Sequence, residues 1–421
     1  MPSFSTFFNT FEVKINGLYM SQYPKSVIFH KYKSALADFL GLSPAHLTLY
    51  WKGRVGLYAI LQALDIGPGD EVLLPGFTCV VVPNAILYRG AQPIYLDIDP
   101  RSLNLNPTQI EPHISPRTKA ILVQNTFGLS PDFAAIRQLA DRHQLKIIED
   151  NTHGFGSRYR GQASGLLGDA AFFSSQWNKP FSTGIGGFVV AHEPELRQAL
   201  HRIEASLPPP SSRADWMLRR QLQLRQLLGH STFYWPALRL YRWLSQNNLI
   251  SGSSEGGELA GPQMPEGFLR GAAPIQAEEG LRQLARFPDN IRHRRRLADR
   301  YQAAFREWGF PPIYEPEYAD HLFLKYAFFV RDRPAFLDLA ARHRIPLGDW
   351  FLSPIHPIPS HWERWQYRTG SCPIAEKLSR HILNLPTDPS VSLAEAERII
   401  AFLADHRSTL LAPEEYAPLH P

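Results

Sequence analysis

The chain has 421 residues, of which 44% are hydrophobic and 20% charged, and it carries a formal net charge of +5. These values are typical of a soluble globular protein of about two domains, and so mild a positive excess does not indicate a nucleic-acid partner. Two cysteines, Cys79 and Cys372, exclude a disulfide scaffold and a four-cysteine zinc site. With no signal-peptide pattern and no apolar run that could span a bilayer, we expect a cytoplasmic protein without a metal centre.

Residues 55–191 alternate short apolar runs with helical patterns. Most runs are continuously apolar, as strands buried on both faces of a parallel sheet are. Helical spacing of apolar residues falls between several of them, as in Leu57–Leu64 and Phe133–Ala140. The pattern predicts a mainly parallel sheet with helices on both faces. The predicted strands are Glu71–Pro75, Pro93–Asp97, Ala120–Val123, Lys146–Glu149, Ala170–Ser174 and Gly187–Ala191.

A different composition begins near Leu207 and marks an insert at about 206–262. A proline-rich break is followed by two basic amphipathic stretches, Trp216–Leu228 and Phe233–Leu244, and then by a Gly- and Ser-rich loop. Leu, Trp, Tyr and Arg at helical spacing suit a lid or a subunit interface. They also suit a helix pair lying on a membrane surface, so peripheral membrane contact through 213–247 stays open.

The last third of the chain predicts a smaller α/β unit. A long helix from Ala277 runs through the basic cluster Arg292–Arg296, which we interpret as a solvated helix face. A strand is expected within Leu322–Val330, and the capping-box sequence Ser392–Glu395 predicts the start of the last helix. We therefore divide the chain into an N-terminal segment (1–40), a large domain (41–268) and a small domain (269–421).

The candidate catalytic residues lie at the ends of the predicted strands. Asp150 and His153 follow one apolar run, and Ser174 and Lys179 follow the next. A lysine amine can form a Schiff base with an aldehyde, and a carboxylate can keep a pyridine nitrogen protonated. These residue types in this order predict a site for pyridoxal 5'-phosphate (PLP).

Several segments together resemble the DegT/DnrJ/EryC1/StrS family, the sugar aminotransferases of the PLP-dependent transferase type I fold. The resemblance implies a three-layer α/β/α large domain with a mainly parallel sheet and a smaller C-terminal α/β domain. It also implies a homodimer with shared active sites. The segments are Gly53–Ala59, Gly67–Val72, Pro75–Thr78, Leu96–Asp99, Ile148–Asp150 with His153-Gly154, Lys179 with Gly184–Gly187, Pro373–Glu376 and Leu383–Pro386.

The resemblance assigns roles position by position. Lys179 matches the lysine that binds the cofactor, Asp150 the acid that pairs with the pyridine nitrogen, and His153 the residue beside the ring and its 3-hydroxyl. The phosphate is expected at a serine and at a turn that opens a helix, where free N–H groups favour an anion. The residues matched to phosphate binding are Ser174, Gly53, Arg54 and Val55.

The substrate side departs from the family pattern. Cys79 takes the place of an aromatic residue that often stacks on the cofactor in relatives, and Ile185 replaces a usual Glu. Arg270 lies in a segment that lacks the family's Asn-Tyr-Arg sequence, and Trp177 lies in an altered stretch before the lysine. His356, in a loop that the family places near the substrate, joins Trp177 and Arg270 as a candidate substrate contact.

The resemblance implies a PLP-dependent aminotransferase that moves an amino group from an amino acid, glutamate or glutamine in most relatives, to a keto-sugar, expected to be nucleotide-linked. Lys179 would act as the general base in that transfer. Three alternatives remain open at this point: a PLP enzyme with another reaction outcome, a membrane-associated enzyme with a lipid-linked acceptor, and a non-catalytic regulator that keeps the fold.

Overall fold

The computed structural model describes residues 24–228, 256–411 and 415. The helices are α1 (Lys25–Leu40), α2 (Gly53–Ala63), α3 (Val81–Tyr88), α4 (Phe133–Arg142), α5 (Pro194–Ser206), α6 (Ser212–Leu228), α7 (Gly256–Ala260), α8 (Pro274–Glu307), α9 (Arg333–Arg342), α10 (Pro373–Ser379) and α11 (Leu393–Asp405). The strands are β1 (Leu47–Tyr50), β2 (Glu71–Pro75), β3 (Thr78–Cys79), β4 (Gln92–Leu96), β5 (Thr118–Gln124), β6 (Lys146–Asp150), β7 (Arg158–Tyr159), β8 (Gln162–Ala163), β9 (Ala170–Ser174), β10 (Gly187–Ala191), β11 (Ala319–Asp320), β12 (Lys325–Phe329), β13 (Ile355–His356) and β14 (Ile382–Pro386).

A seven-stranded sheet forms the centre of the fold, in the order β1-β10-β9-β6-β5-β2-β4. The neighbours from β4 to β9 are parallel, whereas β10 runs antiparallel to both β9 and β1. All six strands predicted from the sequence are present. Their continuous apolar runs are explained by burial, since strands such as Glu71–Pro75 and Gly187–Ala191 are buried at every position.

The sheet topology brings the candidate residues to one edge. Asp150 ends β6 and Ser174 ends β9, its parallel neighbour, so both lie at the carboxyl edge of the sheet. Cys79 follows β2 by a short turn at the same edge. Ligands of open α/β sheets bind at this edge, because helices and loops leave a crevice there.

The C-terminal part of the chain is shared between two cores. The antiparallel pair β12–β14 packs with α11 and the end of α8 through residues such as Phe305, Leu385 and Ile399. Residues from Phe351 to Ile382 instead join the cluster that contains the core of the large sheet. The loop before β13 is therefore fixed to the large domain, and the predicted domain boundary at 269 remains a proposal.

The prediction for the basic cluster is wrong at one position. Arg294 is buried, and its guanidinium donates to the carbonyl of Leu324 and the hydroxyl of Thr387. Arg292 is exposed, as expected for a solvated face. Arg294 therefore ties α8 to the residues beside β12 and β14 instead of facing water.

The first amphipathic stretch forms α6, which buries Leu218 and Leu222 and exposes Trp216 and Leu224. The second predicted stretch, Phe233–Leu244, lies outside the described residues. Within the described ranges, no helix is both long enough and apolar enough to cross a bilayer.

Candidate active site

Lys179 lies in the connection between β9 and β10, which is held closed by its own hydrogen bonds. The hydroxyls of Ser175 and Thr183 lie 2.6 Å apart, and the Thr183 N–H donates to the Ser175 carbonyl. The side-chain amide of Asn290, on α8, donates to the carbonyl of Pro180 at 3.0 Å. The lysine is thus presented by a loop that both the sheet and a long helix position.

The Lys179 ammonium lies within the candidate site. Its Nζ is 3.4 Å from the hydroxyl of Thr152 and 4.8 Å from the centroid of the Trp350 ring. Burial lowers the pKa of Lys179, with the positive charge of Arg54 adding to that effect, while Cys79 and Asp150 act in the opposite direction. A lowered pKa makes the neutral amine, which is the nucleophile and the base, available closer to neutral pH.

Asp150 is a buried carboxylate with few partners of its own. Its Oδ1 accepts the N–H of Thr152 at 3.0 Å, and the residue as a whole is only 4% exposed. Burial raises the pKa of Asp150, whereas the charge of Lys179 and the hydrogen bonds from Thr152 oppose that rise. A cation beside this carboxylate would hold it ionised, which is what a protonated pyridine nitrogen supplies.

His153 is held in a stack of rings. Its imidazole lies nearly parallel to the rings of Phe127 and Trp350, with centroid distances of 6.0 and 4.9 Å. The Phe127 N–H donates to Nδ1 at 3.3 Å, which assigns the proton of the neutral ring to Nε2. Burial, and then the charge of Lys179, lower the pKa of His153 well below its usual value, so the ring is a neutral hydrogen-bond donor.

The start of α2 lies against the end of β9. A Cβ on Gly53 would be 2.7 Å from the Phe173 carbonyl oxygen and 3.0 Å from the Ser174 Cβ, so only glycine fits this contact. The side chain of the N-cap residue, Lys52, makes no capping hydrogen bond, and Val55 donates to the Lys52 carbonyl. The helix N-terminus and Ser174 therefore lie side by side, as an anion site requires.

Arg54, predicted as a phosphate contact, has an ion-pair partner that the sequence did not indicate. Its guanidinium pairs with the carboxylate of Glu258 on α7, and both side chains are almost fully buried. The backbone carbonyl of Glu258 also accepts the side-chain amide of Asn84. The pair anchors the segment after residue 255 against the first turn of α2.

Cys79 and His356 meet across a small parallel ladder. Strand β3 pairs with β13, and Cys79 is opposite His356. Burial raises the pKa of the Cys79 thiol. Burial lowers the pKa of His356 to about 4. The negative charge of Asp349 opposes this decrease, and the positive charge of Lys179 adds to it. His356 is therefore neutral and within electrostatic range of the lysine, as expected for a residue near the substrate.

The other two predicted substrate residues contact different parts of the fold. The Trp177 ring lies 5.1 Å from the guanidinium of Arg225 on α6, and it packs against Gly184. The carbonyl of Arg270 accepts the N–H of Trp51, just before α2. These contacts do not involve Lys179, Asp150 or His153, and a role of Trp177 and Arg270 in substrate binding remains a proposal.

Three neighbours of the lysine were missed by sequence reasoning. Thr152 and Trp350 touch the lysine directly, and Asn290 holds its loop. Thr152 lies between two residues that were singled out, which is a usable signal. Trp350 and Asn290 approach only through the tertiary fold, and a single sequence offers no pattern for them.

Comparison with models of protein families shows which family the chain belongs to. Residues 12–206 and 273–404 match the DegT/DnrJ/EryC1/StrS aminotransferase family, which covers most of the sequence. The chain belongs to this family. It is therefore an aminotransferase that uses PLP, and the type I fold implied by the resemblance is confirmed. Residues 207–272, which include α6 and α7, lie outside the matched ranges.

Curated relatives are similar to the chain over most of its length. It is 28% identical to GDP-perosamine synthase from Caulobacter vibrioides, over 89% of this chain and 88% of that protein. It is 29% identical to UDP-N-acetyl-3-dehydro-alpha-D-glucosamine 3-aminotransferase from Acidithiobacillus ferrooxidans, over 86% and 85%. The solved aminotransferase TlmJ from Streptoalloteichus hindustanus shares the fold, with a TM-score of 0.71, 22% identity and 97% coverage of both chains.

The residues present fit the cofactor of the family. A half-buried lysine with a lowered pKa, a buried carboxylate and a neutral histidine surround one space. The start of α2 beside Ser174 offers N–H groups for a phosphate. The site thus has a group for each functional part of PLP, namely its aldehyde, its ring nitrogen, its hydroxyl and its phosphate.

Proposed function

We propose that this aminotransferase moves an amino group from an amino acid, with glutamate as the expected donor, to a nucleotide-linked keto-sugar in glycan or secondary-metabolite biosynthesis. The observation that carries the proposal is the Lys179 amine, lying beside Thr152 and within electrostatic range of the buried Asp150. The names of relatives support the acceptor class, since one acts on a UDP-linked dehydro-sugar and another makes GDP-perosamine.

Each residue has a separate task in this proposal. When bound, PLP supplies an electron sink for the carbanion that forms at the donor's α-carbon. Lys179 holds the cofactor and moves the proton from that carbon as general base, for which its lowered pKa suits it. Asp150 keeps the ring nitrogen protonated, and neutral His153 can donate from Nε2 to the ring hydroxyl.

The phosphate end of the site is assigned in the same way. Gly53 and Ser174 offer the helix N-terminus and a hydroxyl to the phosphate, and Val55, whose N–H donates to the Lys52 carbonyl, lies in the same turn. Arg54 lies close enough to influence the charge of Lys179, although its guanidinium is paired with Glu258. Cys79 borders the site as a neutral thiol, because burial raises its pKa.

A cleft of about 970 Å³ lies next to the candidate site, although Lys179, Asp150 and His153 are not among the residues that line it. It opens between the loop after β4 and strand β12, and its wall includes Phe127, which stacks on His153. Arg101, Arg306 and Lys325 also line it.

We extend the proposal to the assembly and the cell. A homodimer with shared sites is expected from the family, and size-exclusion chromatography with light scattering would test it. A cytoplasmic location is proposed together with peripheral membrane contact through 213–247, where the exposed Trp216 and Leu224 of α6 flank Arg220. Co-sedimentation with anionic liposomes, before and after deletion of 213–247, would test that contact.

The experiment that tests the function is a visible absorption spectrum of the purified protein, followed by L-glutamate. A yellow protein that converts to the aminated cofactor form establishes the donor half-reaction. Candidate nucleotide-linked keto-sugars are then added, and recovery of the yellow form identifies the acceptor class. Recovery with simple keto acids alone would refute a sugar acceptor, and a protein that turns over without Lys179 would refute the assigned mechanism.

A further inference from the structure

The loop before β13 places an aromatic ring directly against the catalytic lysine. The indole of Trp350 has its centroid 4.8 Å from the Lys179 Nζ. The same indole lies 9° from parallel with the imidazole of His153, at 4.9 Å between centroids. One side chain therefore contacts both the amine that binds the cofactor and the histidine assigned to its hydroxyl.

The position of this ring is fixed by the small domain. The backbone N–H of Trp350 donates to the side chain of Asn384 on β14 at 2.9 Å, and Gly348 and Asn384 exchange backbone hydrogen bonds. The next residue, Phe351, is buried in the core of the large domain. The indole is thus held from both sides in a single place, and a preorganised ring loses little entropy when a ligand packs on it.

Any cofactor that Lys179 binds must come close to this ring. A carbon bonded to Nζ lies one bond length from an atom that is 4.8 Å from the centroid of the indole ring. The side chain of Cys79 is a neutral thiol, because burial raises its pKa, and it offers no aromatic face. Aromatic rings in contact attract each other by about 0.5 to 1.5 kcal/mol beyond their buried area.

We propose that Trp350 is the aromatic wall of the PLP site, against which a cofactor held by Lys179 would be positioned. This role rests on cofactor binding by Lys179 and is independent of which acceptor the enzyme uses. It gives the small domain a direct part in holding the cofactor, since Asn384 and Trp350 connect β14 to the reacting amine.

The test is a PLP titration of the protein freed of cofactor, followed by tryptophan fluorescence. Trp350→Phe keeps an aromatic ring and leaves the other eight of the nine tryptophans in place. Trp308→Phe is the matched control, because that indole packs on Phe305 in the small-domain core. We expect PLP to quench the tryptophan fluorescence of the wild type and of the control by the same amount. The quenching in Trp350→Phe should be clearly smaller, because Trp350 is the tryptophan nearest to the cofactor in this proposal.

Affinity gives a second, independent measurement. Trp350→Phe should bind PLP within about threefold of the wild type, and Trp350→Ala should bind it about tenfold more weakly, since about 1.4 kcal/mol corresponds to a factor of ten. Equal quenching in Trp350→Phe and the control would overturn the proposal even if the alanine variant does not fold. A wild type that binds no PLP would overturn the cofactor assignment as well, so the two failures are distinct.

Discussion

His356 should make the stability of this fold depend on pH. Burial lowers the pKa of its imidazole to about 4, with Arg333 and Lys179 contributing and Asp349 opposing, against about 6.5 in an unfolded chain. Between these two pKa values the imidazole of His356 is protonated in the unfolded chain and neutral in the folded chain. Stability is therefore fully present above about pH 6.5, is lost as the pH falls towards 4, and changes no further below that.

The size of the effect follows from the two pKa values. Lowering the pH from 7.5 to 5 should remove about 2 kcal/mol of unfolding free energy through this one residue. His356→Gln should abolish that part, because glutamine does not titrate and its amide oxygen can accept the Leu352 N–H that now binds Nδ1 at 3.2 Å. His361→Gln, at a well-exposed histidine, is the matched control.

The assay is urea unfolding at pH 7.5 and pH 5, monitored by fluorescence for wild type, His356→Gln and His361→Gln. Burial also lowers the pKa values of His153 and His321, so all three proteins lose stability in acid. The contribution of His356 is therefore the difference between wild type and His356→Gln in the unfolding free energy lost from pH 7.5 to pH 5. Equal losses in those two proteins would show that His356 is not held neutral beside Lys179, and the reasoning would be refuted.

Three further predictions concern the cofactor and its anchoring. Lys179→Ala should lose both turnover and the visible band retained after dialysis; persistence of either would contradict its role. Asp150→Asn should slow the glutamate half-reaction by about a hundredfold in single-turnover spectra, because an ionised partner is removed from a developing charge; unchanged kinetics would exclude Asp150 from the site. Glu258→Ala should cost about 3 to 5 kcal/mol in urea unfolding, and a Glu258→Leu, Arg54→Met double variant much less, since breaking a buried pair costs more than replacing it; equal losses would contradict the pairing.

The central sheet could be predicted because its strands are buried on both faces. Each continuous apolar run became a strand, and the bounds of Glu71–Pro75, Ala170–Ser174 and Gly187–Ala191 agree with the structure residue for residue. Parallel strands then bring Asp150 and Ser174 to one edge without any tertiary information. The local sequence pattern and the topology of a parallel sheet were therefore sufficient to predict that Asp150 and Ser174 lie in one site.

Contacts that form only in the tertiary fold could not be predicted. Trp350 reaches Lys179 from a loop far along the chain, and nothing in the sequence around it marks an active-site ring. Asp97, the last residue of a predicted strand, accepts the N–H groups of Ile374 and Ala375 at the start of α10, a contact that the local sequence does not indicate. Arg294 was assigned to a solvated face because its neighbours are charged, yet the small domain covers it.

The segment outside the family match contacts the candidate site at two places. Trp177, in the altered stretch before the lysine, contacts Arg225 of α6, and Leu218 of the same helix packs against Gly184 at the other end of that loop. Arg54, at the start of α2, pairs with Glu258 of α7. Trp177 and Arg54 therefore both have partners within 207–272. Because one contact is on the lysine loop and the other is at the start of α2, changes to this segment should affect the lysine loop and the phosphate end together.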